Sequence, residues 1–223
     1  MDLSEVTAIV LIRNESYFLE SVLHPLVKYL PRVIVFDTGS TDNTAEIARR
    51  MGAEVHLKGV LPPSVLGTAR TEMCKLAQTP WIWLNDGDEL YPESTFLALK
   101  DQEMPEGKKI GFTSEISVDW KPKSKEFVLL ADRFSRTAIF SKDTTFSGDY
   151  PFEMPNWFSR PETFHYFDLP DAYHLHRLVR SPADEMVFFR NKKRLKFSLM
   201  DRAIPEIGKV LLPFNQEMPE MYR

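Results

Sequence analysis

The chain has 223 residues, 43% of them apolar and 27% charged, with a net charge of −4. That length and balance fit one sizeable globular domain and argue against a disordered chain or a dominant nucleic-acid footprint. The average hides an asymmetry, because from Arg177 to Arg202 eight basic residues face only Asp184, Glu185 and Asp201, giving +5 there and −9 elsewhere. A lone cysteine, Cys74, has no intramolecular disulfide partner, which fits a reducing compartment. Met1 is followed by Asp2, and the apolar run after it is short, so no signal peptide is expected. No run approaches the roughly 20 apolar residues of a membrane span. The expectation is a cytoplasmic protein, at most peripheral at a membrane.

In chain order, residues 6–12 (VTAIVLI) read as a strand buried on both faces. After Arg13-Asn14-Glu15, apolar residues at Phe18, Leu19, Val22, Leu23, Leu26, Val27 and Leu30 mark one face of a helix, which Pro25 is expected to kink or split. A second buried strand over 32–36 runs into Asp37-Thr-Gly-Ser-Thr-Asp-Asn-Thr44, and a helix follows to about Met51. Ser40, Thr41 and Asp42 are all plausible caps for it. Residues 53–57 are a third strand, 59–67 a loop with two prolines, 68–77 a helix, and 81–84 a strand leading into Asn85-Asp-Gly-Asp-Glu89.

Strands alternating with helices predict an α/β fold with a mostly parallel sheet, and such sheets gather functional residues beyond the carboxyl ends of their strands. Asn14 and Glu15, Asp37, and Asp86 with Asp88 each follow a predicted strand, so the three clusters are expected on one rim. The second half is less regular: strands at 109–116 and 127–130 around a polar loop, then an aromatic stretch, 140–167, of loop and short strand. Ser181-Pro182, with Asp184 and Glu185 in the first turn, starts a helix expected to reach about Met200.

Asp86-Gly87-Asp88 places two carboxylates around a small turn residue at a strand end, which suits a hard divalent cation sharing its shell with phosphates and water. Such a cation would clamp a donor diphosphate and stabilise the leaving group. The segments Arg13-Asn-Glu15, Asp37-Thr-Gly-Ser-Thr-Asp-Asn-Thr44, Ala69-Arg70 and Trp81-Ile-Trp-Leu-Asn-Asp-Gly-Asp-Glu-Leu90, in that order and spacing, resemble family 2 glycosyltransferases of the GT-A fold. The likeness covers roughly the first 90 residues.

The resemblance implies a single GT-A-like α/β domain, with 1–108 as the nucleotide-sugar half and 109–223 as the acceptor side. It implies an enzyme that moves a sugar from a nucleotide diphosphate donor, typically a UDP-sugar, with Mn²⁺ or Mg²⁺ and with inversion. Asp37 would accept a hydrogen bond from the base, and Asn14 and Glu15 would line the nucleoside pocket. Arg70 would lie near the diphosphate or the second nucleoside wall, Asp86 would face the ribose or metal-bound water, and Asp88 would bind the metal. Arg70 paired with a surface acid stays open beside this.

In the second half, Arg133-Phe-Ser-Arg136, Gly148 and Pro151-Phe-Glu153 resemble the stretch before the family's catalytic acid residue. An inverting enzyme needs a carboxylate to take the acceptor proton, for which Glu153 is the first candidate and Asp149 the second. The family's more usual Glu-Asp pair is absent. In Tyr173-His174-Leu175-His176-Arg177, His174 and then His176 match the region that completes the family's metal site, and Arg177 and Arg180 would neutralise the leaving diphosphate.

The acceptor is not legible: a glycan, protein, lipid-linked molecule or nucleic acid all remain. The basic stretch 190–196 reads as a solvated face, or as a surface for an anionic acceptor, an acidic membrane or nucleic acid. The aromatics from Trp157 to Phe167 fit core packing at least as well as sugar stacking. A P-loop and a dinucleotide fingerprint are absent, and the first strand lacks the glycine-rich loop of a nucleotidyltransferase. The remaining alternative is a non-catalytic nucleotide-sugar-binding module of the same fold.

Overall fold

The computed structural model describes residues 1–121, 126–148, 154–175, 178, 180–181 and 202–203. Four strands build the first half: β1 (Val6–Ile12), β2 (Arg32–Asp37), β3 (Glu54–Leu57) and β4 (Trp81–Asp86). They lie parallel in the order β3-β2-β1-β4. Helices α1 (Leu19–Tyr29), α2 (Thr44–Arg50) and α3 (Leu66–Leu76) form the connections.

The continuous apolar runs are explained by cover on both faces. Val6, Ala8 and Val10 of β1, Val33 and Val35 of β2, and Trp83 of β4 pack with Leu19, Leu23 and Leu26 of α1 and Ile47 and Ala48 of α2. The alternate residues Ile9, Ile34, Phe36, Ile82 and Leu84 pack on the other face with Met73 and Cys74 of α3. Burial pushes the Cys74 thiol up to about 12, so it is an inert part of this core. Each fully buried Ile, Val or Leu here contributes roughly 1.5–3 kcal/mol.

Pro25 does not split α1. The helix is continuous from Leu19 to Tyr29, with Pro25 inside it and buried. Packing of Leu19, Leu23 and Leu26 against the sheet offsets the one backbone hydrogen bond that proline cannot donate.

After β4 come the short strand β5 (Glu89–Leu90) and helix α4 (Glu93–Lys100), which the sequence reading passes over. Phe96 and Leu99 of α4 complete the core around Trp83, whose ring meets Tyr91 edge-on at 4.7 Å. The two strands expected at 109–116 and 127–130 are far longer, β6 (Ile110–Lys121) and β7 (Glu126–Ser141), and they pair antiparallel. β7 also pairs antiparallel with β4, so the sheet is mixed.

A small two-stranded sheet, β8 (Phe146–Ser147) with β9 (Met154–Pro155), packs near α3. β10 (Phe164–Tyr166) runs beside β6, β11 (Ala172–His174) lies between β6 and β5, and β12 (Arg202–Ala203) pairs with β7. The helix expected from Ser181 and the basic stretch 190–196 lie outside the described residues beyond Ser181. No described helix is long and apolar enough to cross a membrane.

Candidate active site

The parallel register sets three strand ends side by side, with Ile12 beside Asp37 and Leu11 beside Asp86. Asp37 closes β2 and is 2% exposed. Its Oδ1 accepts from the Gly39 and Ser40 amides at 2.8 and 2.7 Å, folding the following turn back onto the carboxylate. Gly39 has φ +95°, and a Cβ there would meet Val60 at 2.8 Å, so the turn depends on glycine. The Asp37 Oδ2 is buried with no hydrogen-bond partner.

Asn14 has φ 55°, and its side-chain oxygen accepts from the Thr41 amide at 2.8 Å while its own amide donates to Ser40 Oγ at 2.9 Å. These bonds lock the end of β1 to the Asp37 turn. Of the expected caps, Asp42 accepts from the Thr44 amide at 3.0 Å, whereas Ser40 and Thr41 bind Asn14 instead. The Glu15 amide donates to Thr44 Oγ1 at 2.9 Å, and Glu15 Oε1 accepts from Arg180 Nη1 at 2.7 Å.

Asp86 closes β4 between two arginines. Oδ1 accepts from Arg70 Nη2 at 2.9 Å and Oδ2 from Arg136 Nη2 at 3.1 Å. Burial would push its carboxyl up, but the charges of Arg70 and Arg136 overcome this and hold it below the usual range. Arg70 therefore pairs with an acid, and that acid belongs to the site.

Gly87 allows the turn to close: a Cβ there would come within 2.8 Å of Glu15 Cγ and 3.0 Å of Ile12 Cγ2. Beyond it Asp88 is 8% exposed, with Oδ2 accepting from Arg180 Nη1 at 2.6 Å and lying 3.7 Å from His174 Nε2. Arg180 thus bridges Glu15 and Asp88. His174 reaches the turn because β11 pairs with β5, His174 opposite Glu89, and because the Leu175 amide donates to the Asp88 carbonyl at 2.7 Å.

Three residues to which the sequence assigns no individual role, Glu89, Glu115 and Arg136, complete the cluster. Glu89 is 1% exposed; one oxygen accepts from the Asp86 amide at 3.0 Å and the other lies 2.5 Å from Arg136 Nη2. Burial pushes its carboxyl up to about 8, against the charge of Arg136. Glu115 of β6 lies 3.3 Å from His174 Nδ1. Arg136, on β7, sits among Asp86, Glu89 and Glu115, and these acids hold its guanidinium charged despite burial. Burial would lower His174, but Asp88 and Glu115 prevail and raise it to about 10.

One donor atom each from Asp88, Glu89 and His174 lie within 4.8 Å of one another, so a carboxylate, a second carboxylate and an imidazole can converge on one cation. That mixed oxygen and nitrogen set suits Mn²⁺, and oxygen-rich coordination suits Mg²⁺. Asp86 is placed differently, since both of its oxygens already accept from arginines. Glu153, Asp149, His176 and Arg177 lie outside the described residues.

The family model for glycosyl transferase family 2 matches residues 7–110, the stretch that carries Asp37, Arg70, Asp86 and Asp88. No curated protein matches the chain. Among solved structures, glucosyl-3-phosphoglycerate synthase from Mycobacterium tuberculosis, crystallised with Mn²⁺, UDP and glucosyl-3-phosphoglycerate, superposes with a TM-score of 0.52 at 16% identity over 77% of this chain and 72% of that one. The same synthase with UDP-glucose and phosphoglyceric acid matches at 22% identity and a TM-score of 0.41, over 48% of this chain and only 42% of that one. At these identities the likeness bears on the fold. Over residues 7–110 the chain is similar to glycosyl transferase family 2, and its fold is of the GT-A kind.

Proposed function

We propose that the protein is a metal-dependent glycosyltransferase that moves a sugar from a nucleotide diphosphate sugar to an acceptor hydroxyl. The observation that carries the reading is the meeting of Asp37, Asp86 and Asp88 on one rim, with His174 brought to Asp88 by a separate strand. Buried carboxylates are costly, and a purely structural rim has little reason to gather them.

The Asp37 Oδ2, buried and without a partner, accepts a hydrogen bond from a base that presents an N–H on its pairing edge. Uracil meets that requirement at N3, and a UDP-sugar is the donor expected. Asn14 shapes this pocket by holding the Asp37 turn, and Glu15 forms its floor beside Gly87. Asp86, oriented by Arg70 and Arg136, would face the ribose or metal-bound water.

Asp88 and His174, with Glu89 beside them, would hold Mn²⁺ or Mg²⁺, which when bound supplies charge to the departing diphosphate. Arg180, and Arg177 with it, provide further positive charge for the same group. Glu153 takes the proton from the acceptor hydroxyl, with Asp149 as the second choice, and attack inverts the anomeric centre. His176 is a reserve ligand to His174. The setting is cytoplasmic, with any membrane association at the surface.

The test is a thermal-shift panel of UDP, GDP, CDP, dTDP and ADP, each with and without Mn²⁺, because a ligand of the native state raises the melting temperature by mass action. A metal-dependent shift with UDP, lost in Asp88→Ala, is expected. No shift with any diphosphate would overturn the donor site, and a nucleotide-sugar-binding module with it, leaving the fold alone.

A further inference from the structure

Glu115 is a buried acid that the reaction scheme leaves without a task. It sits on β6, next to β11, where Ala172 is its register partner. His174 is two residues further along β11, so the two side chains are diagonal neighbours on one face of the sheet. Glu115 Oε1 lies 3.3 Å from His174 Nδ1, while the other ring nitrogen, Nε2, lies 3.7 Å from Asp88 Oδ2.

The backbone of His174 is already held on both sides, by β6 and by β5. The orientation of the imidazole is set by rotation about its side-chain bonds, and a ring that turns carries Nε2 away from Asp88. Among the described residues Arg136 also lies near Glu115, with its Nε 4.0 Å from Oε2 and no directed hydrogen bond to it. A carboxylate 8% exposed is costly to bury for so distant a pairing.

We propose that Glu115 is a positioning residue: it accepts from Nδ1 of His174 and thereby turns Nε2 towards Asp88, where the proposed function needs a metal ligand. The inference rests on that metal-dependent reading. Residues that orient a ligating histidine through its second nitrogen typically change metal affinity 10–100-fold when removed. The alternative is that Glu115 only balances the charge of Arg136.

Four variants separate the two. Glu115→Gln keeps an acceptor of the same length, Glu115→Leu removes it, Glu115→Asn stays polar but falls short of Nδ1, and His174→Ala is the control. Mn²⁺ binding to each is titrated by electron paramagnetic resonance, and the nitrogen coupling of bound Mn²⁺ is read by its pulsed form, with folding followed by near-ultraviolet dichroism. Wild type and Glu115→Gln are expected to show the histidine nitrogen coupling. Glu115→Leu and Glu115→Asn are expected to bind about 10–100-fold more weakly with the coupling reduced or absent. If Leu does not fold, Asn carries the comparison.

Full coupling and wild-type affinity in a folded Leu or Asn variant would overturn the positioning role while leaving the metal site standing. Equal losses in Gln, Leu and Asn would overturn it in favour of charge balance. Mn²⁺ bound to the wild type without a coupling that His174→Ala removes, or not bound at all, would instead sink the metal site, and this inference with it.

Discussion

Replacing Glu89 by Gln should flatten the dependence of stability on pH. The Glu89 side chain is fully withdrawn from solvent, and burial pushes its carboxyl up to about 8 from an ordinary value of 4.5. Arg136 opposes the rise, Asp86 and Glu115 add to it, and His174 opposes it again. A raised carboxyl means that the native state holds a proton which the unfolded chain releases near 4.5. Its contribution is therefore fully present below about pH 4.5 and is lost as pH climbs through about 8. A shift of this size corresponds to about 5 kcal/mol, a large share of the roughly 5–15 kcal/mol that holds a domain together.

Gln keeps the size of Glu89 and an acceptor for the Asp86 amide, and it does not titrate. Urea unfolding in the presence of a chelator, from pH 5 to 8.5, reads the effect. Wild type is expected to lose up to about 1.4 kcal/mol per pH unit through this group. The variant should lack that loss and be the more stable protein at pH 8.5. Parallel pH profiles would refute the reasoning, and would mean that Arg136, 2.5 Å from Oε1, keeps Glu89 ionised throughout.

His174 gives a second pH effect. Asp88 and Glu115 overcome its burial and raise it to about 10, so the metal-free protein carries an imidazolium that a cation must discharge. Between pH 8 and 9, above the range where Glu89 holds its proton, Mn²⁺ affinity should rise by up to about tenfold per unit, with about one proton released per ion by calorimetry in two buffers; His174→Gln should lose both. Arg136→Met removes the counter-charge of Glu89 and one of the two arginines beside Asp86, and should cost about 3–5 kcal/mol in urea at pH 8.5. The loss should be smaller at pH 6, where Glu89 takes up a proton; a loss below about 1 kcal/mol at the higher pH would contradict the network. Gly87→Ala drives a Cβ against Glu15 and Ile12, and should cost about 1–3 kcal/mol by the same unfolding assay.

The nucleotide half was legible because its signals are local. Six apolar residues and one threonine in β1 announce a strand covered on both faces, and the spacing along α1 announces the helix that covers one of them. Parallel strands joined by helices put their carboxyl ends on one edge, so Asp37, Asp86 and Asp88 were expected together from connectivity alone. Arg133-Phe-Ser-Arg136 was singled out without a sign of which arginine faces inward, because side-chain direction depends on the register of β7, and that register shifts twice along its pairing with β6.

Pro25 shows the limit of a local rule, since the packed face of α1 outweighs one missing donor. By itself the sequence determined the order of strands and helices, the acidic turns at the strand ends and the glycines those turns require. Only the tertiary structure decided that Glu89 turns inward, that Glu115 meets His174 and that Arg136 joins Asp86. Those contacts span up to 59 residues of chain and depend on which strands pair across the sheet, β11 parallel to β6 and β7 antiparallel to β4, a non-local choice that no short window of residues encodes.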